Sequence, residues 1–217
     1  MKRKLIVGDL MFVFQIVMAW LFTGPQVLRS FKSTTGVTIT WPAMCLVFLV
    51  INIFLAIGAY RKSRSRRALQ IVCIYANWIV LMGALLAALM INGHWIINDT
   101  VVSMSALVAV SLLITIRWKQ TLVSTIVEPI TRGFISLIAK STPQLYIAYC
   151  IVDARGGNGL AGMTLFIGHI TVCVRIAEIW FAASQDGWNR QNVGLMISES
   201  GNELTWWVTT VAWLAYR

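Results

Sequence analysis

Long apolar runs separated by short polar stretches divide almost the whole chain. A helix needs about 20 predominantly apolar residues to cross the hydrocarbon core of a bilayer, and seven runs approach that length. Their predicted spans are about 5–28, 39–60, 68–91, 101–116, 122–149, 160–183 and 193–216. The pattern therefore predicts an all-α membrane protein with seven transmembrane helices.

Composition supports a bilayer as the solvent. The chain has 217 residues, of which 58% are hydrophobic and only 12% are charged, whereas a soluble domain carries about 25% charged residues. In a soluble protein the net charge of +10 would suggest nucleic acid. Here the basic residues stand between apolar runs, where they anchor and orient helices. We therefore expect a lipid bilayer, and not nucleic acid, as the partner of the chain.

The distribution of Lys and Arg predicts the orientation. If the amino terminus is inside, most of the 18 basic residues lie on the inner side. The inner segments then hold Lys2, Arg3, Lys4, Arg61, Lys62, Arg64, Arg66, Arg67, Arg117, Lys119 and Arg190. The outer segments hold Arg29, Lys32, Arg155 and Arg217. Because cytoplasmic loops carry the excess of basic residues, we expect a cytoplasmic amino terminus and a carboxyl terminus outside.

An internal repeat is visible in two Pro-Gln pairs, each near the end of an apolar run. The pairs are Pro25-Gln26 and Pro143-Gln144. Each is followed by a short polar stretch with glycine and then by another apolar run. Carrying the spacing onward aligns Asn77 in the third span with Asn202 in the seventh. Internal symmetry of this kind points to a transporter site at the repeat interface.

The repeat predicts three domains: a first three-helix repeat over 1–91, a linker helix within 92–119 and a second three-helix repeat over 120–217. The repeats are parallel, since four helices separate their starts. This layout, with its paired Pro-Gln motifs, resembles the PQ-loop family, which includes the cystinosin-related amino-acid exporters and the SWEET sugar transporters. The resemblance implies a seven-helix carrier with alternating access. Two features leave PnuC-type vitamin transporters as an alternative: the predicted orientation is opposite to that of SWEETs, and the repeats share few residues.

Asparagine and tryptophan side chains are the candidates for binding a substrate. SWEET-like carriers contact substrate through asparagines on the third and seventh helices, and the resemblance assigns that role to Asn77 and Asn202. Trp78 and Trp206 offer flat surfaces for stacking, and Asn52 in the second span is a further candidate. The alternative for the asparagines is an ordinary hydrogen bond between helices. For the tryptophans the alternative is ordinary packing or a place in the aromatic belt at the membrane interface. We expect Trp41 to be such an interfacial anchor.

Both Pro-Gln pairs are candidate hinges. A proline inside a helix removes a hydrogen bond and leaves a carbonyl group without its donor. Pro25 and Pro143 at matching places would give each repeat a kink, with Gln26 and Gln144 satisfying the freed carbonyls. The alternative is that the prolines end the first and fifth spans.

Ionisable residues at membrane depth suggest proton coupling. Glu199 and Glu203 stand four residues apart on one face of the seventh span. The alternative is that this span starts later and both carboxylates lie among lipid headgroups. Two further pairs are expected to form ion pairs within one helix: Glu128 with Arg132, and Arg175 with Glu178. His169 in the sixth span is expected to be a packed polar residue.

No sequence motif supports catalysis, a metal site or a cofactor. The sequence therefore predicts a membrane carrier for a small polar solute, such as a sugar, amino acid, nucleoside or vitamin, and not an enzyme. The alternative is a receptor or complex subunit that keeps the PQ-loop fold without transporting anything. Monomer and homo-oligomer both remain open.

Overall fold

A computed structural model describes residues 2–115, 124 and 127–217. The described part is helical, without strands. Its long helices are α1 (Lys2–Ser30), α2 (Thr40–Ser63), α3 (Arg66–Asn92), α4 (Ile97–Thr115), α5 (Pro129–Asp153), α6 (Gly162–Asp186) and α7 (Arg190–Tyr216). Arg117, Lys119 and the predicted limits of spans four and five at 116 and 122 lie outside the described residues.

Six of the seven described helices, α1 to α6, are long and apolar enough to cross a membrane. Helix α7 has 27 residues but carries several polar side chains, so its span remains a prediction. Large apolar side chains point away from the bundle, as Phe54, Ile91 and Ile97 do at 69%, 73% and 75% exposure. Such a surface has its natural solvent in lipid, and the chain is a multi-pass integral membrane protein.

We refer to α1–α3 and to α5–α7 as the two groups of helices. Helix α3 packs against both α1 and α2, and α7 packs against both α5 and α6. Between the groups, α1 contacts α6 and α2 contacts α5, while α4 lies against α5 and α2. The most extensive packing joins α5 to α7. We call the side where α1 begins the amino-terminal side, and the side where α7 ends the carboxyl-terminal side.

Helix α5 is the most enclosed span and also the least apolar. About 44% of its apolar window is buried, against 11–28% for the other spans, and its mean hydropathy is only 1.2. The sequence pattern placed Glu128 inside this span. Glu128 instead caps α5, accepting the Thr131 N–H at 2.8 Å, and Pro129 takes the first helical position, where no N–H is needed.

Both Pro-Gln pairs lie inside continuous helices. Helix α1 continues past Pro25 to Ser30, and α5 continues past Pro143 to Asp153. The alternative that the two prolines end their spans is therefore wrong. Each proline lies nearer the carboxyl-terminal end of its helix than the amino-terminal end. A kink at the proline would therefore divide the helix into a longer amino-terminal part and a shorter carboxyl-terminal part.

On the carboxyl-terminal side, the α1–α2 loop packs against the α5–α6 loop. The Gly159 N–H donates to the carbonyl oxygen of Thr35 at 2.9 Å. Gly36 has φ of +77°, a backbone conformation that favours glycine, and a side chain there would meet Ile151 and Gly156. The two glycine-containing stretches of the repeat are thus in direct contact.

Candidate functional site

A polar stripe begins at the residue that caps α5 and winds gradually around this helix. Its members recur every fourth residue, and each step advances the side chain by about 40° beyond a full turn, so that the stripe meets both α2 and α7: Glu128, Arg132, Ser136, Lys140 and Gln144. Sixteen residues of helix span about 24 Å, compared with a hydrocarbon core about 30 Å thick. The stripe therefore extends from the amino-terminal end of α5 through most of the depth that a membrane would occupy.

Polar side chains of α7 contact three successive members of this stripe. Ser136 Oγ lies 2.7 Å from Ser198 Oγ, Lys140 Nζ lies 2.7 Å from Glu199 Oε1, and the side-chain amides of Gln144 and Asn202 lie 2.7 Å apart. The Thr205 hydroxyl also contacts the Gln144 amide. The α5–α7 interface is thus held by polar contacts as well as by apolar packing.

The ion pair between Lys140 and Glu199 is the most consequential of these contacts. The two side chains are only 22% and 12% exposed, and Lys140 lies near the middle of α5. Removing charges from water costs several kcal/mol per ion, so a charge pair at this depth is unusual unless it has a role. The Lys140 ammonium also lies 5.7 Å from the centre of the Phe48 ring of α2.

Arg132 connects the stripe to α2. Its Nη2 donates to Asn52 Oδ1 at 2.6 Å, and the Asn52 amide nitrogen donates to the Phe48 carbonyl. Asn52 is 2% exposed, so this predicted site residue lies in the contact between the two groups of helices. No carboxylate lies within ion-pair distance of Arg132 in the described residues.

The expected ion pair between Glu128 and Arg132 does not form. Glu128 instead contacts Arg190 at the start of α7, with Nη2 to Oε1 at 2.6 Å. The pKa of the Glu128 carboxyl is lowered from 4.5 to about 2: partial burial raises it, but hydrogen bonds from Thr131 and Arg190 outweigh burial. The expected pair of Arg175 with Glu178 is confirmed at 2.8 Å.

A second cluster lies between α6 and α7. His169 Nδ1 lies 2.6 Å from Glu203 Oε1, and His169 Nε2 lies 2.8 Å from the Thr210 hydroxyl. The other carboxylate oxygen of Glu203 is buried and has no hydrogen-bond partner in the described structure. The Trp207 ring lies against the imidazole, with centroids 4.7 Å apart. His169 is therefore a member of a partly buried acid–base cluster.

The four-residue spacing of Glu199 and Glu203 predicted that both lie on one face of α7. Their carboxylates instead face two different helices. Glu199 turns to Lys140 of α5, whereas Glu203 turns to His169 of α6. Four residues of helix advance the side chain by about 40° beyond one full turn, which is enough for a helix packed between two neighbours to present each carboxylate to a different one. Both lie well inside α7 and not at its start.

The two asparagines aligned by the repeat are not brought together. Asn202 is buried against Gln144 of α5, whereas Asn77 accepts a hydrogen bond from Trp20 Nε1 of α1 at 3.1 Å. The described parts of α3 and α7 do not pack on each other. Each asparagine instead links the third helix of its group to the first helix of the same group. The Asn77 amide nitrogen is buried without a partner in the described structure.

Four aromatic side chains fill the space between α1, α2, α3 and α7. The Phe22 ring makes edge-to-face contacts with Trp41, Trp78 and Trp206 at centroid distances of 5.7–5.9 Å. Trp41 and Trp206 are each only 2% exposed. The expectation that Trp41 is an interfacial anchor is therefore wrong, because its indole packs in the core. Trp78 and Trp206, the predicted stacking residues, meet through Phe22.

Neither glutamine of the Pro-Gln pairs satisfies a carbonyl freed by its proline. The Gln26 amide reaches the α5–α6 loop, donating to the Gly159 carbonyl and accepting the Ala161 N–H, both at 2.9 Å. The Gln144 amide faces Asn202 and Thr205 of α7 instead. With its oxygen and nitrogen exchanged, the Gln144 amide also accepts a hydrogen bond from Trp206 Nε1 at 2.9 Å. Each glutamine thus joins different parts of the chain.

Sequence reasoning missed three members of the site. Arg132 was expected only to pair with Glu128, and Lys140 was given no role, although a polar residue at every fourth position from 128 to 144 is readable in the sequence. His169 was expected only to be packed, and no local signal links it to Glu203, 34 residues away.

The described residues contain no group of three or more His, Cys, Asp and Glu side chains that could hold a metal ion. Comparison of the chain with protein-family models, curated proteins and solved structures gives no match.

Proposed function

We propose that this chain is a carrier that moves a small polar solute across a membrane by alternating access, with its amino terminus in the cytoplasm. The observation that carries the proposal is the polar stripe of α5 and its partners on α7, with the Lys140–Glu199 ion pair at mid-helix. Ionisable residues at membrane depth are costly and commonly mark the path of a solute or an ion.

The packing of the helices supports a carrier built from two repeats joined by α4. In each group of three, the third helix packs between the first and the second. Exchanging the two groups converts the contact of α1 with α6 into the contact of α5 with α2, and both contacts occur. A pseudo-twofold axis along the membrane normal has this property, and it is the arrangement that the PQ-loop resemblance implies.

In this proposal the solute binds between the two groups and competes for polar partners that they now give each other. Asn77 has an amide nitrogen without a partner in the described structure. Asn52 and Asn202 now bond to Arg132 and Gln144, and in this proposal they bond to the solute instead. Trp78 and Trp206 supply flat surfaces beside them. Opening the aromatic cluster around Phe22 would give the solute access, with Pro25 and Pro143 as hinges.

Proton coupling through Glu203 is part of the proposal. The carboxylate has one oxygen on His169 and one without a partner, so a proton can be accepted there without breaking an existing contact. Glu199 is the second candidate, but its oxygen is engaged by Lys140, so its protonation would release an ion pair.

A receptor or complex subunit without transport is the second candidate. The observation that favours it is the aromatic cluster, in which Phe22, Trp41 and Trp206 are at most 8% exposed and occupy the space between the helix groups. A protein that never opens this cluster would keep the fold and lose the pathway.

A thermal-shift screen of the purified protein against sugars, amino acids, nucleosides and vitamins tests the proposal. We expect one class to raise the unfolding temperature of the wild type, and Asn77→Ala and Asn202→Ala to reduce that increase. The matched control is Asn92→Ala, which removes an amide that bonds only to the Ala88 carbonyl at the end of α3. It should leave the ligand-induced increase unchanged.

The two candidates give different results in this screen. Stabilisation by no class of solute, together with unchanged behaviour of both asparagine variants, would count against the carrier and favour the receptor or subunit.

A further inference from the structure

A basic cleft of about 490 Å³ lies on the carboxyl-terminal side, away from the polar stripe. It is formed by the end of α1, the end of α7 and the segment that leads from the α5–α6 loop into α6. Sites for small molecules have volumes of about 300–1,000 Å³, so the cleft is large enough for a polar headgroup. Three basic residues line it: Arg29, Lys32 and Arg217.

No acidic side chain is among the described residues that line the cleft. Arg29 is oriented by its Nε, which donates to the Asn158 carbonyl, and its two Nη groups have no partner in the described structure. The Arg217 guanidinium lies 5.2 Å from the centre of the Trp213 ring, which also lines the cleft. Three cationic side chains around one concavity without an acidic side chain form a site for an anion.

Apolar side chains flank the cationic part of the cleft. Leu28 and Met163 line the same cleft and are 68% and 47% exposed. Arg29 lies in the last turn of α1, Lys32 just beyond that helix and Arg217 just beyond α7, whereas Leu28 lies on α1 and Met163 on the first turn of α6. An amphiphile with a phosphate head and acyl chains matches both parts, whereas a free anion uses only the first.

From this arrangement we propose that the cleft binds the headgroup of an anionic phospholipid, with acyl chains along Leu28 and Met163. It also accounts for where the basic residues of this side occur. Of the four basic residues predicted outside, three line this one cleft, and only Arg155 does not. The site does not depend on the carrier function.

Native mass spectrometry of the purified protein tests the proposal, with phosphatidylglycerol and phosphatidylcholine of identical acyl chains offered in equal amounts. We expect the tightest-bound lipid on the wild type to be phosphatidylglycerol. A variant combining Arg29→Gln, Lys32→Gln and Arg217→Gln should lose about 100-fold in that preference, since each cation near an anionic lipid contributes about fivefold.

Two controls make the result specific. Combining Arg61→Gln, Lys62→Gln and Arg64→Gln removes the same charge on the amino-terminal side and should preserve the tightest-bound lipid. Arg29→Lys keeps the charge and should retain most of the preference. Equal binding of the two lipids by the wild type, or an unchanged preference in the Arg29, Lys32 and Arg217 variant, would overturn the proposal. Displacement of the lipid by inorganic phosphate alone would assign the cleft to soluble anions and reject the lipid.

Discussion

At the scale of the residue, Glu128 shows how one side chain can serve two structures. Its carboxylate accepts hydrogen bonds from the Thr131 N–H and hydroxyl at 2.8 and 2.7 Å, which cap α5, and it pairs with Arg190 at the start of α7. These contacts favour the ionised form and outweigh the partial burial that opposes it, so the pKa falls to about 2. A single acid thereby connects the two helices that carry the polar stripe.

The low pKa of Glu128 predicts a specific pH dependence of stability. Because the folded-state pKa of about 2 is below the ordinary 4.5, the stabilisation is fully present above pH 4.5 and is lost as the pH falls toward 2. Glu128→Gln should lower stability at neutral pH by about 1 kcal/mol, the usual contribution of a helix cap, and should flatten the decline between pH 4.5 and 2. Thermal unfolding in detergent at a series of pH values measures both effects.

Arg190→Gln separates the two contributions of Glu128. Arg190 is 62% exposed, and surface pairs contribute about 0–1 kcal/mol. We expect this variant to keep the cap and most of the pH dependence. A wild type whose stability changes no more than that of Glu128→Gln over the same pH range would contradict the assignment.

At the scale of the element, α5 and α7 approach closely through two glycines near their amino-terminal ends. A Cβ on Gly133 would overlap the backbone of Gly194, and a Cβ on Gly194 would overlap the carbonyl of Pro129. Small residues let backbones approach in this way in membrane helices. The close approach brings the side chains of the polar stripe within hydrogen-bond distance of α7.

Gly133→Ala should therefore destabilise the protein although alanine is the better helix former. The added methyl group meets backbone atoms that cannot rotate away, and overpacking of this kind costs about 1–3 kcal/mol. Gly83→Ala in α3 is the matched control, since nothing lies within 4 Å of its Cβ position, and it should be neutral or slightly stabilising. Equal unfolding temperatures for the two variants in detergent would show that the helices do not need this contact.

At the scale of the whole molecule, the two groups of helices are joined differently at their two sides. On the carboxyl-terminal side, Gln26 holds the α5–α6 loop and Gly159 bonds to Thr35. Toward the amino-terminal side, the described contact between the groups includes the Arg132–Asn52 hydrogen bond. Alternating access requires one of these connections to open while the other stays closed.

Distances between spin labels across the groups test this motion without knowledge of the substrate. In a background without the four free cysteines, Lys62→Cys and Gln191→Cys place labels on exposed positions of the amino-terminal side. Lys32→Cys and Arg155→Cys do the same on the carboxyl-terminal side. A carrier should give two distance populations on each side, and conditions that lengthen one pair should shorten the other.

Gln26→Leu should shift these populations toward the state that is open on the carboxyl-terminal side, because it removes both hydrogen bonds to the α5–α6 loop. Ser105→Ala, which removes only a bond to the backbone of its own helix α4, is the control and should leave the distances unchanged. A single sharp distance on both sides in every variant would argue for a rigid protein and against transport.

Several features followed from the sequence because they depend on residues close together in the chain. The six helices that are long and apolar enough to cross a membrane follow from apolar length, and the pair of Arg175 with Glu178 follows from helical spacing. The Pro-Gln repeat remains a prediction, and it did not indicate what the two glutamines bind. Gln26 and Gln144 each follow a proline but have different partners, since Gln26 faces a loop of the other group and Gln144 faces α7.

The sequence by itself determined that this chain belongs in a membrane and how much of it is helical, because apolar length and helical spacing are local properties. Only the tertiary structure decided that Lys140 meets Glu199, that His169 meets Glu203 and that Trp41 is buried. The physical reason is that a polar group in an apolar surrounding takes whichever partner packing brings within reach, and packing joins helices that are far apart in the chain.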